Sequence, residues 1–346
     1  MTERGLWCPA GGFHIDPAVP VPVAVVTHAH ADHARPGSAL YYCAEEGRTL
    51  LARRMPPDAR IVGVDYAAPF HLGGARVSFH PAGHLRGSAQ VRVEVGGSVW
   101  VASGDYKRQP DPTCTPFEVV HCDVFITEST FALPIYAWDP TERVVAALAA
   151  WWRDNAARGQ ASIVCTYALG KAQRLLAELA RLAPGSLPAG EDAGPPRVLL
   201  HGLMEPLTRV YRDAGVAMID TAPVLDDDRP RARRARGSFA GALIVAPPSA
   251  VGTPWVRRFG AGVRTAFASG WMLVRGVRRR RGFDAGFVIS DHADWPDLLR
   301  TVRETGATRV LTTHGSGATL ARFLREQGVD ASPLQGPPAP AGEDDA

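Results

Sequence analysis

The sequence predicts an α/β fold on three observations. Short apolar, β-branched runs separated by turns fill its first third. Strand-like and helix-like segments then alternate through most of the remainder. A histidine-rich motif stands where one of the early strands ends. Residues 21–26 form the first buried run, leading into Thr27-His28-Ala29-His30-Ala31-Asp32-His33. Strands are expected at 39–42 and 61–64, with residues 45–54 helical between them, and at 77–81, leading to Ala82-Gly83-His84. Residues 90–95 and 98–102 flank Gly96-Gly97 as a hairpin ending in Ser103-Gly104-Asp105-Tyr106, and 124–127 is a buried strand before Glu128-Ser129-Thr130. Asp139-Pro140 opens a helix over 141–157. A strand at 162–166 precedes Leu169-Gly170-Lys171-Ala172-Gln173, which starts a helix to 182. Residues 184–196 are a Pro/Gly-rich loop; strands at 198–200, 242–246 and 264–268 alternate with helical stretches, the pattern of a parallel sheet. A strand at 287–290 runs into Asp291-His292-Ala293-Asp294, followed by helix 296–304, strand 309–312 and helix 318–327.

Composition narrows the class. Across 346 residues, 46% are hydrophobic and 21% charged, as in globular domains, and no apolar run reaches the ~18 residues of a membrane span. The N-terminus lacks the basic-then-apolar order of a signal peptide, so a cytoplasmic location and no membrane partner are expected. Cys8, Cys43, Cys114, Cys122 and Cys165 are odd in number and widely spaced, which favours buried thiols over disulfides. A net charge of +3 hides local clusters: Arg275 and Arg278 to Arg281 could hold phosphates, Arg231 to Arg236 follow Asp226-Asp227-Asp228, and the tail is Pro-rich and then acidic.

The motif carries the chemistry. His28, His30, Asp32 and His33 fall at i, i+2, i+4 and i+5, a spacing that turning backbone can aim at one point and a straight strand or helix cannot. Imidazole and carboxylate are the donors that borderline divalent cations accept, zinc before manganese.

These four residues resemble the signature of the metallo-β-lactamase superfamily. That resemblance implies an αββα sandwich, with Asp16 supporting the site by hydrogen bonding. It implies two divalent metals: His28, His30 and His84 on one, Asp32, His33 and His314 on the other, and Asp105 shared. Glu128, His292 and His314, in Thr-Glu-Ser-Thr, Ser-Asp-His-Ala-Asp and Thr-His-Gly, match the motifs of the β-CASP nuclease branch, whose α/β cap, a parallel sheet flanked by helices, is inserted between the first two. The implied organisation is a metallo-β-lactamase domain of residues 1–131 plus 288–332, a β-CASP cap of 132–287, and a disordered tail of 333–346. Asp32, Glu128 and His292 take catalytic roles in that resemblance, His292 as the acid for the leaving oxygen and Glu128 as its orienting partner. Lys171, Arg275, Arg278 and Arg279 are candidate substrate ligands.

Whole-segment likeness over 105–112, 134–136 and 283–294 is closest to bacterial ligase-associated DNA exonucleases. It implies hydrolysis of single-stranded DNA in repair, with a DNA ligase and a helicase as partners. An RNA exo- or endonuclease is the alternative, because neither ligands nor acid report the sugar. A small-molecule hydrolase such as a thioesterase, and a non-catalytic scaffold, rank below both.

Overall fold

The structure is a computed structural model that describes residues 2–183, 185–190, 196–224, 239–260, 262–274 and 282–334. It is mixed α/β, and the chain divides into two compact units: Met1–Ala137 with Asp291–Ala346, and Trp138–Ser290.

The first unit holds two sheets. Five strands, β1 (Leu6–Cys8), β2 (Phe13–Ile15), β3 (Val23–Val25), β4 (Leu40–Ala44) and β5 (Ile61–Val64), lie in that order, antiparallel between β1 and β2 and parallel thereafter. The second sheet adds β6 (Phe70–Leu72), β7 (Ala75–Pro81), β8 (Ala89–Val95), β9 (Ser98–Ala102), β10 (Val124–Glu128), β17 (Arg309–Thr313) and β18 (Asp330–Pro333), in the order β18-β17-β10-β9-β8-β7-β6. Phe13, Ile15 and Val25 of the smaller sheet share a core with Val77, Phe79, Val91 and Ile126 of the larger one. The opposite face of the larger sheet, through Val101, Phe125 and Val310, is covered by α5 (Trp295–Thr305) and α6 (Gly317–Glu326), which bury Leu298, Val302, Leu320 and Leu324. Period-2 alternation along β10 thus sends Ile126 and Phe125 into different cores. Beside β5, α1 (Arg48–Arg54) buries Leu50 and Leu51.

The second unit holds six strands, all parallel: β11 (Ser162–Cys165), β12 (Val198–Leu200), β13 (Ala222–Pro223), β14 (Leu243–Ala246), β15 (Arg264–Ala268) and β16 (Ala285–Phe287), ordered β13-β12-β14-β11-β15-β16. Helices α2 (Thr141–Ala157) and α3 (Lys171–Ala180) cover one face through Val145, Leu148, Trp152 and Leu175; α4 (Glu205–Asp213) packs beside α3. Trp152, fully buried, donates its indole N–H to Gly241 O at 2.9 Å, which removes the penalty of burying that group. The other face buries Ile163, Ile244 and Phe267 against Ala250, Phe259 and Met272 of short 3₁₀ turns.

Several expectations shift. The strand expected at 287–290 is β16, ending at Phe287, because Ile289 N turns back to Phe287 O. Val288 and Ile289 pack in the second unit, so the return to the first falls at Asp291 and not at 288; the outward crossing falls after Ala137 and not 131. Of the tail expected over 333–346, Pro333 instead belongs to β18 and Leu334 N donates to Thr312 O, and the rest lies outside the described residues. No described helix is long and apolar enough to cross a membrane.

The turn after β7 packs backbone on backbone. Gly87 has φ +75°, and a Cβ there would stand 2.1 Å from Gly47 Cα. Gly87→Ala is therefore expected to cost about 2 kcal/mol or more, read as a lower urea midpoint; an unchanged midpoint would contradict the close approach.

Candidate metal centre

The donors stand at strand ends of the first unit. Leaving β3, the chain keeps Val25 and Val26 buried and turns through Thr27 to His33, a turn closed by Ala34 N donating to His30 O at 2.8 Å. His84 sits in the turn between β7 and β8, where Ser88 Oγ accepts from His84 N at 3.0 Å and Leu85 N at 3.2 Å. Asp105 follows β9, Glu128 ends β10, His292 precedes α5 and His314 follows β17. His314 has φ +60°, and Ser129 Oγ holds this bend by donating to Thr313 O at 2.7 Å and to His314 O.

The side chains converge. His28 Nε2 and His84 Nε2 each lie 3.1 Å from His30 Nδ1. Asp105 Oδ2 lies 3.5 Å from His28 Nε2, 3.4 Å from His33 Nε2 and 3.8 Å from His84 Nε2, and its Oδ1 lies 4.0 Å from His314 Nδ1. Asp32 Oδ2 approaches His33 Nε2 at 3.6 Å.

The hydrogen-bond network assigns the tautomers. His33 Nδ1 donates to Asp16 Oδ2 at 2.7 Å, and His84 Nδ1 donates to Asp291 O at 2.9 Å. Thr27 Oγ1 donates to Asp16 Oδ2 at 2.6 Å, leaving it an acceptor for His28 Nδ1–H at 3.0 Å. In their neutral forms all three rings therefore turn an Nε2 lone pair inward, the arrangement by which outer partners prepare imidazoles for a cation. A single proton on His30 Nδ1 cannot serve the lone pairs of both His28 and His84. His33 Nε2 is buried without a hydrogen-bond partner. Donor atoms around a tetrahedral ion with bonds of about 2.0–2.1 Å stand about 3.3 Å apart; the spacings of 3.1 to 3.8 Å here bracket that value. These residues could hold metal ions, grouped as His28, His30, His84 and Asp105, and as His33, Asp105 and His314.

Electrostatics separates the two groups. Burial, with His292 and His30 nearby, holds His84 down to about 3; burial, with His33 nearby, holds His28 well below the usual imidazole range. Burial pulls His33 the same way, but Asp105, Asp16 and Asp32 together lift it well above that range. Burial would raise Asp105, yet His33 and His292 hold it well below the usual carboxylate range.

A second pair adjoins the donors. Glu128 is 1% exposed; its Oε2 accepts from His292 Nδ1 at 2.9 Å and its Oε1 from Tyr106 N at 2.7 Å. The His292 ring lies 4.7 Å from that of His84, and Asp105, Glu128 and His292 also form a compact group. Both Glu128 oxygens are engaged, and the bond from Nδ1 fixes the orientation of the His292 ring.

His28, His30, His33, His84, Asp105 and His314 fall in the two donor groups, Glu128 and His292 in the adjoining one with Asp105, and Asp16 bonds to His33; Asp32 is in none of them and approaches His33. Lys171 is in none of them either. It belongs to the second unit, is 3% exposed and holds Nζ 4.1 Å from the Tyr167 ring centre. Arg275, Arg278 and Arg279, and the run Arg231 to Arg236, lie outside the described residues. Sequence reasoning missed Thr27, Ser129, the Asp291 carbonyl and the Tyr106 amide. Only Thr27 left a signal, a hydroxyl immediately before the motif. The others act through backbone groups or across long separations, 207 residues between His84 and Asp291.

Asp16, at φ +43°, accepts from Thr27 N (2.8 Å), Thr27 Oγ1 and His33 Nδ1. Asp16→Ala is expected to lower stability by about 2–4 kcal/mol in chelator, since three partners lose a charged acceptor. Denaturant unfolding checks this, and a change below about 0.5 kcal/mol would contradict it.

No family model matches the chain. A probable DNA ligase of Opitutus terrae is 33% identical over 336 residues, 95% of this chain. Endoribonucleases named YSH1 or ysh1 match a shorter stretch: that of Gibberella zeae at 32% over 120 residues, 34% of this chain, and that of Emericella nidulans at 34% over 116 residues, 33% of this chain. The chain spans only 30% of the ligase and 14% and 13% of these two endoribonucleases. Among solved structures, a protein of unknown function from Enterococcus faecalis V583 superposes with a TM-score of 0.61, covering 90% of this chain and 79% of that one at 12% identity, a likeness of fold alone.

Proposed function

We propose that this chain is a two-metal phosphodiesterase of the metallo-β-lactamase β-CASP type, acting as an exonuclease on single-stranded DNA in repair. The observation that carries the proposal is the adjacency of two features: six convergent donors, with Asp32 beside His33, and a buried Glu128–His292 pair whose imidazole stands 4.7 Å from His84. A hydrolase of small esters needs the donors but not the pair. Similarity to a probable DNA ligase over 95% of the chain supports a DNA substrate and work beside a ligase, and a helicase is proposed as a further partner. Similarity to endoribonucleases over about a third of it supports the second reading, an RNA nuclease.

In this reading Trp138–Ser290 is the β-CASP cap inserted into the metallo-β-lactamase unit. His28, His30 and His84 would hold one cation and Asp32, His33 and His314 the other, with Asp105 available to both. Zinc suits the imidazole-rich set and manganese is the alternative. When bound, two such cations acidify water and neutralise charge on a phosphodiester. The protein's own groups do the rest. His28 and His84, kept neutral by burial, need no deprotonation to ligate. His292 donates its Nε2 proton to the leaving oxygen as the P–O bond breaks. Glu128 holds the ring by Nδ1 and stabilises the imidazolium before transfer. General acid catalysis of this kind contributes about 10²–10⁴-fold.

Two outcomes test this. Single strands of DNA and RNA, labelled at either end, are incubated with zinc or manganese. Mononucleotide release from DNA is expected, falling about 10²–10⁴-fold in His292→Ala at undiminished metal content. Preferential cleavage of RNA selects the second reading, and cleavage of neither polymer by fully loaded protein contradicts both. The groups should also differ in acid. His33, raised, keeps its competing proton as pH falls through neutrality, whereas His84, lowered to about 3, stays available. Metal content is thus expected to fall from two equivalents towards one as pH drops, with the cation at His33 leaving first. Loss in the reverse order, followed in His33→Ala and His84→Ala proteins, would contradict the assignment.

A further inference from the structure

Away from the donors, the first unit carries a second concave site that nothing above uses. A cavity of about 500 Å³ opens over the β1–β2 hairpin, lined by Thr2, Glu3, Arg4, Trp7, His14 and Pro22. That volume falls within the ~300–1,000 Å³ range of small-ligand pockets. Its floor is aromatic. Trp7 and His14 are directly paired across the two strands, with ring centroids 4.5 Å apart at 40°. Trp7 is 37% exposed on an edge strand of its sheet. His14 is only 6% exposed, and its Nδ1 is buried with no hydrogen-bond partner. Burial and the neighbouring Arg4 charge favour its neutral ring. Arg4 is exposed and makes no ion pair among the described residues.

We propose that this cavity is a subsite for one nucleotide of a single-stranded nucleic acid, the base stacking on Trp7 and its phosphate meeting Arg4. The inference rests on the nuclease reading for its ligand class, and it extends that reading to where the strand runs. A flat π-face beside a lone guanidinium is the pairing by which proteins hold single strands without reading sequence. Glu3 supplies an acceptor for base-edge groups, while the Thr2 hydroxyl, bonded to Gly5 O and Arg4 N, holds the turn that presents Arg4. Position also fits. His14 is two residues, at most about 7 Å of backbone, from Asp16, which grips His33 at 2.7 Å. Arg4 O accepts from Ala18 N at 3.0 Å, tying the N-terminal segment to the far side of the same turn. In the proposal a strand leaving the donor cluster runs over the Asp16-Pro17 turn towards Trp7.

The test is anisotropy of a labelled oligodeoxyadenosine bound to the full chain in EDTA, across a salt series. Trp7→Ala is expected to weaken binding about 10-fold or more, and Trp7→Phe to restore most of it. Arg4→Ala should reduce the salt slope by about 0.7, the value for one single-strand phosphate contact; it also provides a readout should Trp7→Ala misfold. Trp100→Ala, at a tryptophan 39% exposed on the other sheet, is expected to change nothing. Equal affinities for Trp7→Ala and Trp100→Ala, an unaltered slope in Arg4→Ala, or no binding by the unaltered protein would overturn the subsite. Displacement by deoxyadenosine monophosphate as readily as by the oligomer would assign the cavity to a free nucleotide and overturn it too. Binding in EDTA needs no hydrolysis. Absent cleavage with Trp7-dependent binding therefore counts against the proposed activity alone, and normal cleavage with Trp7-independent binding against the subsite alone.

Discussion

A carboxylate that is buried and ionised has to be met by positive charge, and the first unit is arranged around one. Asp105 is 6% exposed and faces His28, His33, His84 and His314 from a single turn after β9. Unpaired, such a charge would cost several kcal/mol, and would shift its pKa upward to avoid ionising. Here it is held low by His33 and His292, and His28 and His84 present lone pairs and not protons. Lone pairs and a carboxylate converging within 4 Å repel one another unless a cation lies among them. The same side chains that make the site costly to the bare protein make it a strong ligand for divalent metal.

Holding that arrangement takes unusual backbone. Asp16 and His314 both adopt left-handed conformations that side chains other than glycine rarely take, and each is over-determined by its neighbours. Asp16 is gripped by Thr27 and His33. His314 is followed by Gly315, where a Cβ would stand 2.2 Å from Ser129 O, so the β10 and β17 turns interlock without room for a side chain. Glu128 ends the strand that pairs with β17 in parallel, which puts the acid pair and the last donor on neighbouring strand ends although 186 positions of chain separate Glu128 from His314 in sequence.

Much of this was legible beforehand because it is local. The spacing of His28, His30, Asp32 and His33 encodes a turn, and Gly96-Gly97 encodes a hairpin that forms as expected between β8 and β9. The helix expected after Asp139-Pro140, from 141 to about 157, is α2. What escaped is what depends on distant partners. Strands β1, β2 and β18 are three or four residues long and gain their hydrogen bonds only from neighbours in the sheet. Lys171 reads as a phosphate ligand at a helix start, and only the fold reveals that Tyr167 and burial claim it. The Asp291 carbonyl that sets the His84 tautomer carries no residue-type signature at all.

The most direct test of the central claim is anomalous diffraction from crystals grown with zinc, recorded at the zinc edge. Two peaks are predicted, one on either side of Asp105. One should lie about 2.0–2.1 Å from His28 Nε2, His84 Nε2 and His30 Nδ1, and the other should be shared by His33 and His314. No peak at Asp105, or a single peak bonded to Glu128 and His292 in place of these histidines, would contradict it.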